Sequence, residues 1–249
     1  MSNLTLNPQG KTAFISGANR GIGRAIAEEL LERGAAKVYA GARRLESLEE
    51  LTAKYGDRIV PVALDVTNDD SIKAATEKIN DIDILVNNAG VLSGGGILSP
   101  NAVESLQQNL DVNVWGLVNL SNALANQLKK EQPTAIVNIS SLAGLGNMPM
   151  IGTYSVSKAA VHSLTQGMRA ELADHNTLVV GVYPGAIDTK MTAEMEMDKD
   201  TPQNVAKNIV NALEAGKEDV FPDAMSEQVE NFYASNPKGV EQQFATFVG

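Results

Sequence analysis

Short runs of consecutive apolar residues alternate with segments in which apolar residues recur every three or four positions, and this cycle continues through most of the chain. Lys11-Thr12-Ala13-Phe14-Ile15-Ser16 reads as a strand ending at Gly17. Ile22, Ile26, Leu30 and Leu31 then share one helical face, up to Arg33-Gly34, where Gly34 supplies a C-terminal cap. The cycle repeats with strands at 37–41 and 58–64 and helices at 45–55 and 71–79. Next come a strand at 82–86, a long amphipathic stretch from about Asn101 to Leu128, a strand at 135–139, a helix running from Ile151 through Leu172, and a strand at 178–183. Thr201 and Pro202 open a helix to about Ala215, and Val220-Phe221 forms a last short strand. Strands that are apolar throughout are buried on both faces, and their alternation with helices predicts a parallel sheet. The fold class is therefore α/β: residues 1–249 form a single doubly wound domain of three layers, with about seven strands and helices on both faces. Residues 222–249 continue past the last strand with Met225, Val229, Phe232, Tyr233, Phe244 and Phe247 at helical spacing. This C-terminal extension is expected to pack on the body or on a partner subunit.

Composition narrows the partners. A formal charge of −10 and a pI near 4.7 repel a phosphate backbone or an anionic lipid surface, so neither nucleic acid nor membrane is expected as a partner. The absence of cysteine excludes disulfides, thiol catalysis and thiolate metal sites. His162 and His175 are the only histidines, and no metal is expected. The first residues carry neither the basic nor the apolar segment of an export signal, and no apolar run approaches the roughly 18 residues of a membrane span. A soluble, cytoplasmic protein is the expectation.

The first chemical signal is the turn Ser16-Gly17-Ala18-Asn19-Arg20-Gly21-Ile22-Gly23, set between a strand and a helix. Glycines let the backbone approach a pyrophosphate, and the helix beginning near Gly21 aims its free amides at it. The second strand ends Gly41-Ala42-Arg43-Arg44, where a carboxylate for the ribose hydroxyls would otherwise stand. Arg43, with Arg20 from the turn, suits a 2′-phosphate, which points to NADP(H) rather than NAD(H). Further along, Tyr154 and Lys158 lie four apart on one helical face, so an ammonium can favour a phenolate and lower a pKa that is ordinarily about 10. An isolated Tyr-x-x-x-Lys is more often a packed phenol beside a solvated ammonium. Here the neighbouring strand ends are loaded: Asp65-Val66-Thr67, Asn87-Asn88-Ala89-Gly90, Ser140-Ser141 and Pro184-Gly185-Ala186-Ile187-Asp188-Thr189 all fall on the same sheet edge.

These motifs, in this order and at these spacings, resemble the classical branch of the short-chain dehydrogenase/reductase family over about Lys11 to Met191. The resemblance implies a Rossmann-like fold and a hydride transfer between a nicotinamide and a small or apolar ketone, aldehyde or secondary alcohol. It implies that Tyr154 is the general acid/base, that Lys158 tunes it and bonds the nicotinamide ribose, and that Ser141, with Ser140 as the alternative, orients the substrate carbonyl. Asn113, a poor helix former in mid-helix, would bend its helix and hold a water leading to Lys158. Asp65 and Val66 would meet the adenine; Asn88, Ala89 and Gly90 the ribose and pyrophosphate side; Ile187 and Thr189 the carboxamide. Gly17, Asn19, Gly21 and Ile22, with Pro184 and Gly185, complete the cofactor set. Residues 190–200, with Met191, Met195 and Met197 among acidic neighbours, would form a short substrate lid. A homodimer or homotetramer is implied, and the extension favours the dimer. Two other readings remain open at this stage: an NAD-preferring alcohol dehydrogenase and a catalytically silent NADP-binding regulator.

Overall fold

Ala13 and Ile15 point to one face of the first strand and Phe14 to the other, and all three are fully buried because helices cover both faces. The computed structural model describes residues 4–248. Its sheet has seven strands: β1 (Thr12–Ser16), β2 (Lys37–Ala42), β3 (Ile59–Ala63), β4 (Ile84–Asn87), β5 (Thr134–Ile139), β6 (Thr177–Val182) and β7 (Asp219–Val220). All pair in parallel, in the order β3-β2-β1-β4-β5-β6-β7. The helices are α1 (Gly21–Glu32), α2 (Glu49–Tyr55), α3 (Asp69–Thr76), α4 (Ala102–Leu110), α5 (Gly116–Leu128), α6 (Gly152–Glu171), α7 (Pro202–Ala215), α8 (Ala224–Ser235) and α9 (Pro237–Phe244).

On one face Ile26 and Leu30 of α1 and Val205 and Ile209 of α7 bury Ile15, Ile84 and Val180. On the other, Ile72 of α3 and Leu120, Leu124 and Leu128 of α5 cover Phe14, Leu85 and Ile136. Each of these side chains contributes roughly 1.5–3 kcal/mol relative to an exposed position. Strand order reverses across the β1/β4 pair, with β2 and β3 laid down to one side and β5 to β7 to the other, so the loops after β1 and β4 part at one crevice, where parallel sheets place their ligands.

The structure refines several boundaries. The segment read as one helix at 45–55 begins as a 3-10 turn over Leu45–Leu48 before α2. The stretch from 101 to 128 is two helices joined by a π-helical turn at Asp111–Trp115. Gly34 ends α1 with a φ of +87°, as a C-terminal cap requires. β7 stops at Val220, and Phe221 instead stacks on Tyr183 with ring centroids 5.2 Å apart. Residues 222–248 fold as α8 and α9 against this same chain: Val229, Val240 and Phe244 share a cluster with Leu142 and Tyr183. Gly146 leaves room for α9, since a Cβ there would stand 2.9 Å from the Phe244 ring. The 190–200 segment contains one 3-10 turn at Lys190–Thr192. Its base is pinned where Asp188 N donates to Asp200 O at 2.8 Å and Asp200 N to Ala186 O at 3.1 Å. No helix among the described residues is long and apolar enough to cross a membrane.

Candidate active site

The glycine turn is built by close approach. Gly17 and Gly21 adopt φ of +70° and +56°, conformations that side chains disfavour, and a Cβ on Gly23 would strike the Asn88 carboxamide. That carboxamide donates to Ser16 O at 2.9 Å and Gly17 O at 3.0 Å, while the Ser16 hydroxyl oxygen accepts from Asn88 N and Ala89 N. Asn88 thus clamps the β4 loop to the β1 loop. At the start of α1, Arg20 makes no side-chain cap, so the first amides of the helix have no side chain on them. Arg43 lies exposed at the end of β2, on the same cavity as Arg20. Asp65 accepts from Thr67 N at 3.0 Å and Thr67 Oγ1 at 2.7 Å. These bonds, then the Arg43 charge, hold its carboxyl below its usual range.

The reacting edge lies across the same cavity, which encloses about 1080 Å³. Tyr154 and Lys158 project from α6 and are buried, and the Lys158 Nζ sits 5.6 Å from the phenol ring centre. Lys158 Nζ donates to Ile139 O at 2.9 Å, at the end of β5. Burial pushes the Tyr154 phenol up to about 12, opposed by a hydrogen bond with Ser141, and the same burial pushes the Lys158 ammonium down to about 8. The Tyr154 phenol is therefore raised, where the Tyr-x-x-x-Lys spacing led us to expect it lowered, and burial is the largest influence on it. Of the two serines, Ser140 turns away, its Oγ donating to Lys158 O at 3.0 Å, whereas Ser141 is on the Tyr154 side, its Oγ donating weakly to Pro184 O at 3.4 Å and accepting from Ala143 N at 3.2 Å.

Asn113 sits in the π-helical turn and does not line the cavity. Its carboxamide accepts from Val91 N at 2.9 Å, donates to Val91 O at 3.0 Å and donates to Ser157 Oγ at 2.9 Å. Asn109, one turn earlier, grips Ser93 N and Ser93 O in the same way. Together they hold the loop after β4 beside α6; sequence reasoning singled out Asn113 and missed Asn109. All the other residues picked from sequence for the cofactor and the chemistry line this one cavity, with Thr189 packed beside Gly21. His162 lies elsewhere, its Nδ1 2.7 Å from Tyr183 Oη, and burial lowers its pKa. Also missed were apolar residues of the far wall, including Met148, Met150, Met225, Phe232, Phe244 and Phe247. For Met225, Phe232, Phe244 and Phe247 the helical spacing of the extension was the only sequence signal, and Met148 and Met150 had none. Among the described residues no three His, Cys, Asp or Glu side chains gather as a metal site.

A doubly wound parallel sheet with a glycine turn at its switch point, and a buried phenol, ammonium and hydroxyl on the neighbouring strand ends, defines a nicotinamide-dependent oxidoreductase. A family model described as short chain dehydrogenase matches residues 11–200. The chain belongs to the short-chain dehydrogenase/reductase family. An uncharacterized oxidoreductase of Staphylococcus epidermidis is 35% identical over 210 residues, covering 82% of this chain and 90% of that protein. The 3-oxoacyl-[acyl-carrier-protein] reductase FabG of Vibrio cholerae is 36% identical over 201 residues, covering 79% and 81%. A short chain dehydrogenase from Burkholderia cenocepacia, solved in complex with NADP, superposes with a TM-score of 0.89 at 34% identity, covering 96% of this chain and 99% of that one.

Proposed function

We propose that this enzyme is an NADPH-preferring carbonyl reductase, run in reverse as a secondary-alcohol dehydrogenase. The observation that carries this reading is that Ser141, Tyr154 and Lys158, with the Lys158 Nζ 5.6 Å from the phenol ring centre, line the one cavity that also holds the glycine turn and Arg43. The residues fit the cofactor. Uncapped amides at the start of α1 and the positive-φ glycines suit the pyrophosphate, and exposed Arg43 and Arg20 suit a 2′-phosphate. NADP in the Burkholderia relative supports the same preference. When bound, the nicotinamide supplies the hydride in reduction and accepts it in oxidation. Ser141 donates to the substrate carbonyl oxygen and fixes its position against the phenol. Tyr154 Oη gives that oxygen its proton as negative charge develops there, and takes the proton back in the oxidative direction. The Lys158 ammonium, held toward the phenol by Ile139 O, stabilises the phenolate left behind. Asn113 keeps the Val91 loop and Ser157 in place behind this pair.

The test is NADPH oxidation by the purified protein over a panel of ketones and aldehydes, with Tyr154→Phe as control. The variant should lose turnover by at least about a thousandfold while binding NADPH as before. Unchanged turnover in Tyr154→Phe would sink the assignment. We further infer a homodimer, supported by exposed Val103, Trp115 and Val156 on the neighbouring α4, π-turn and α6 surfaces; light scattering that shows a monomer at micromolar concentration would exclude it.

A further inference from the structure

Opposite the glycine turn, three separate stretches close the cavity: 148–151, 191–197 and 225–247. Six of the chain's eight methionines line this wall, with Phe232, Phe244 and Phe247. The side chains these stretches contribute are uncharged, and the charge that borders them is Lys190, at the base of the lid beside Met191. Within the lid, Glu194 and Glu196 alternate with the methionines and stay off the cavity, so from Met191 to Met197 the lid is apolar inward and acidic outward. The wall is also anchored. Met150 N donates to Phe247 O at 3.0 Å, and the Phe244 and Phe247 rings meet edge to face with centroids 6.2 Å apart.

Much of this surface stays in contact with water. Met150 is 48% exposed, Met191 45%, Phe232 38% and Phe247 37%, all on the one cavity. Large apolar groups converging in this way are stabilised only when something apolar covers them. A carboxylate or phosphate against the methionine and phenylalanine side chains would lose its water, with only Lys190, exposed at the base of the lid, as a cation beside them, and the acidic outer lid would repel it on approach. Unbranched methionines also repack around irregular shapes.

We propose that the substrate is an uncharged ketone, or the matching secondary alcohol, with a long or bulky hydrocarbon body that lies against this methionine and phenylalanine wall. The inference rests on the carbonyl-reductase reading and deepens it. It also sets this enzyme apart from a reductase of acyl groups on an anionic carrier: the wall selects hydrocarbon, and Tyr154 and Ser141 take the one polar group.

The experiment uses the full chain with NADPH and the series butan-2-one, heptan-2-one and nonan-2-one, against 8-oxononanoate, which keeps the methyl ketone and adds a distal carboxylate. kcat/KM should rise about threefold for each added methylene until the wall is filled. The carboxylate analogue should run at least about 30-fold below nonan-2-one. Phe247→Ala should raise KM for nonan-2-one about tenfold and leave butan-2-one within about twofold. Met197→Lys should close much of the gap between nonan-2-one and the anion. Calorimetry supplies a readout apart from turnover: nonan-2-one should bind the NADPH complex with a negative heat-capacity change, and the anion should not. Flat rates along the series, or equal use of the anion, overturn the inference and leave carbonyl reduction standing. Binding without turnover of any ketone upholds the inference about the wall and removes the reductase reading. Neither binding nor turnover defeats both.

Discussion

Lys158→Met should make the protein more stable at neutral pH while abolishing its chemistry. The Lys158 ammonium is buried and its one hydrogen-bond partner is Ile139 O, an uncharged acceptor. Its pKa falls from 10.5 to about 8, which at about 1.4 kcal/mol per pH unit is a folding penalty on the order of 3 kcal/mol. Methionine keeps the hydrocarbon stem but leaves Ile139 O unpaired, at a cost of about 2 kcal/mol. The net gain at pH 7, without cofactor, is on the order of 1 kcal/mol. Because the folded lysine holds its proton more weakly than the unfolded one, the penalty is complete below about pH 8 and fades as pH approaches 10.5. The stabilities of wild type and variant should therefore cross near about pH 9. Tyr154 acts in the opposite sense: its folded pKa near 12 leaves stability intact up to about pH 10 and removes it above that, in both proteins alike. Urea unfolding at half-unit steps from pH 7 to 9.5 measures the difference. A variant less stable than wild type at pH 7, or two curves that stay parallel, would refute the reasoning.

Arg43→Ala should raise the KM for NADPH at least about tenfold and leave that for NADH nearly unchanged, because only a 2′-phosphate uses the guanidinium; equal losses for both cofactors would remove Arg43 from that role. Gly144→Ala should lower stability by about 1–3 kcal/mol and slow turnover, since its Cβ would lie 2.6 Å from Lys158 O, backbone against which neither partner can yield; a fall in Tm of at least a few degrees, together with reduced kcat, is the expected result. Tyr183→Phe removes the hydroxyl that meets His162 Nδ1 and donates to Asp219 Oδ1 at 3.3 Å. It should cost about 1–2 kcal/mol in chemical denaturation with kcat within about twofold, and a large loss of kcat would tie that network to catalysis.

The sheet was legible because both of its faces are covered, so each strand is a bare apolar run and each helix shows one apolar stripe. The break in the long helix was legible only at Asn113, the poor helix former that the family resemblance puts at a bend, since no glycine or proline lies within residues 111–115. It accompanies bonds that Asn109 and Asn113 make to Ser93 and Val91, groups whose positions depend on where β4 ends. Adjacent serines pose the same limit on a smaller scale. Extended backbone sends Ser140 and Ser141 to opposite sides, but only the position of α6 decides that Ser140 meets Lys158 O and Ser141 lies on the Tyr154 side. The direction of the Tyr154 shift escapes the sequence for a related reason: spacing along a helix reports proximity to Lys158, whereas burial depends on everything packed above it.

The two halves of the site are encoded at different ranges, and this explains what each can vary. The chemistry rests on short local patterns at strand ends, each tied to its neighbour by backbone bonds such as Asn88 to Ser16 and Lys158 to Ile139. A substitution there disturbs the cradle itself. The wall over Tyr154 is assembled from three distant stretches whose register is set by few polar contacts, chiefly Met150 with Phe247 and the pinned base of the lid. Methionine and phenylalanine side chains on such a frame can change size without moving a strand. Changes at Phe232 or Phe247 should therefore alter which ketone is reduced far more than how fast the preferred one reacts, and that KM-against-kcat split is the signature separating wall residues from those that handle the proton.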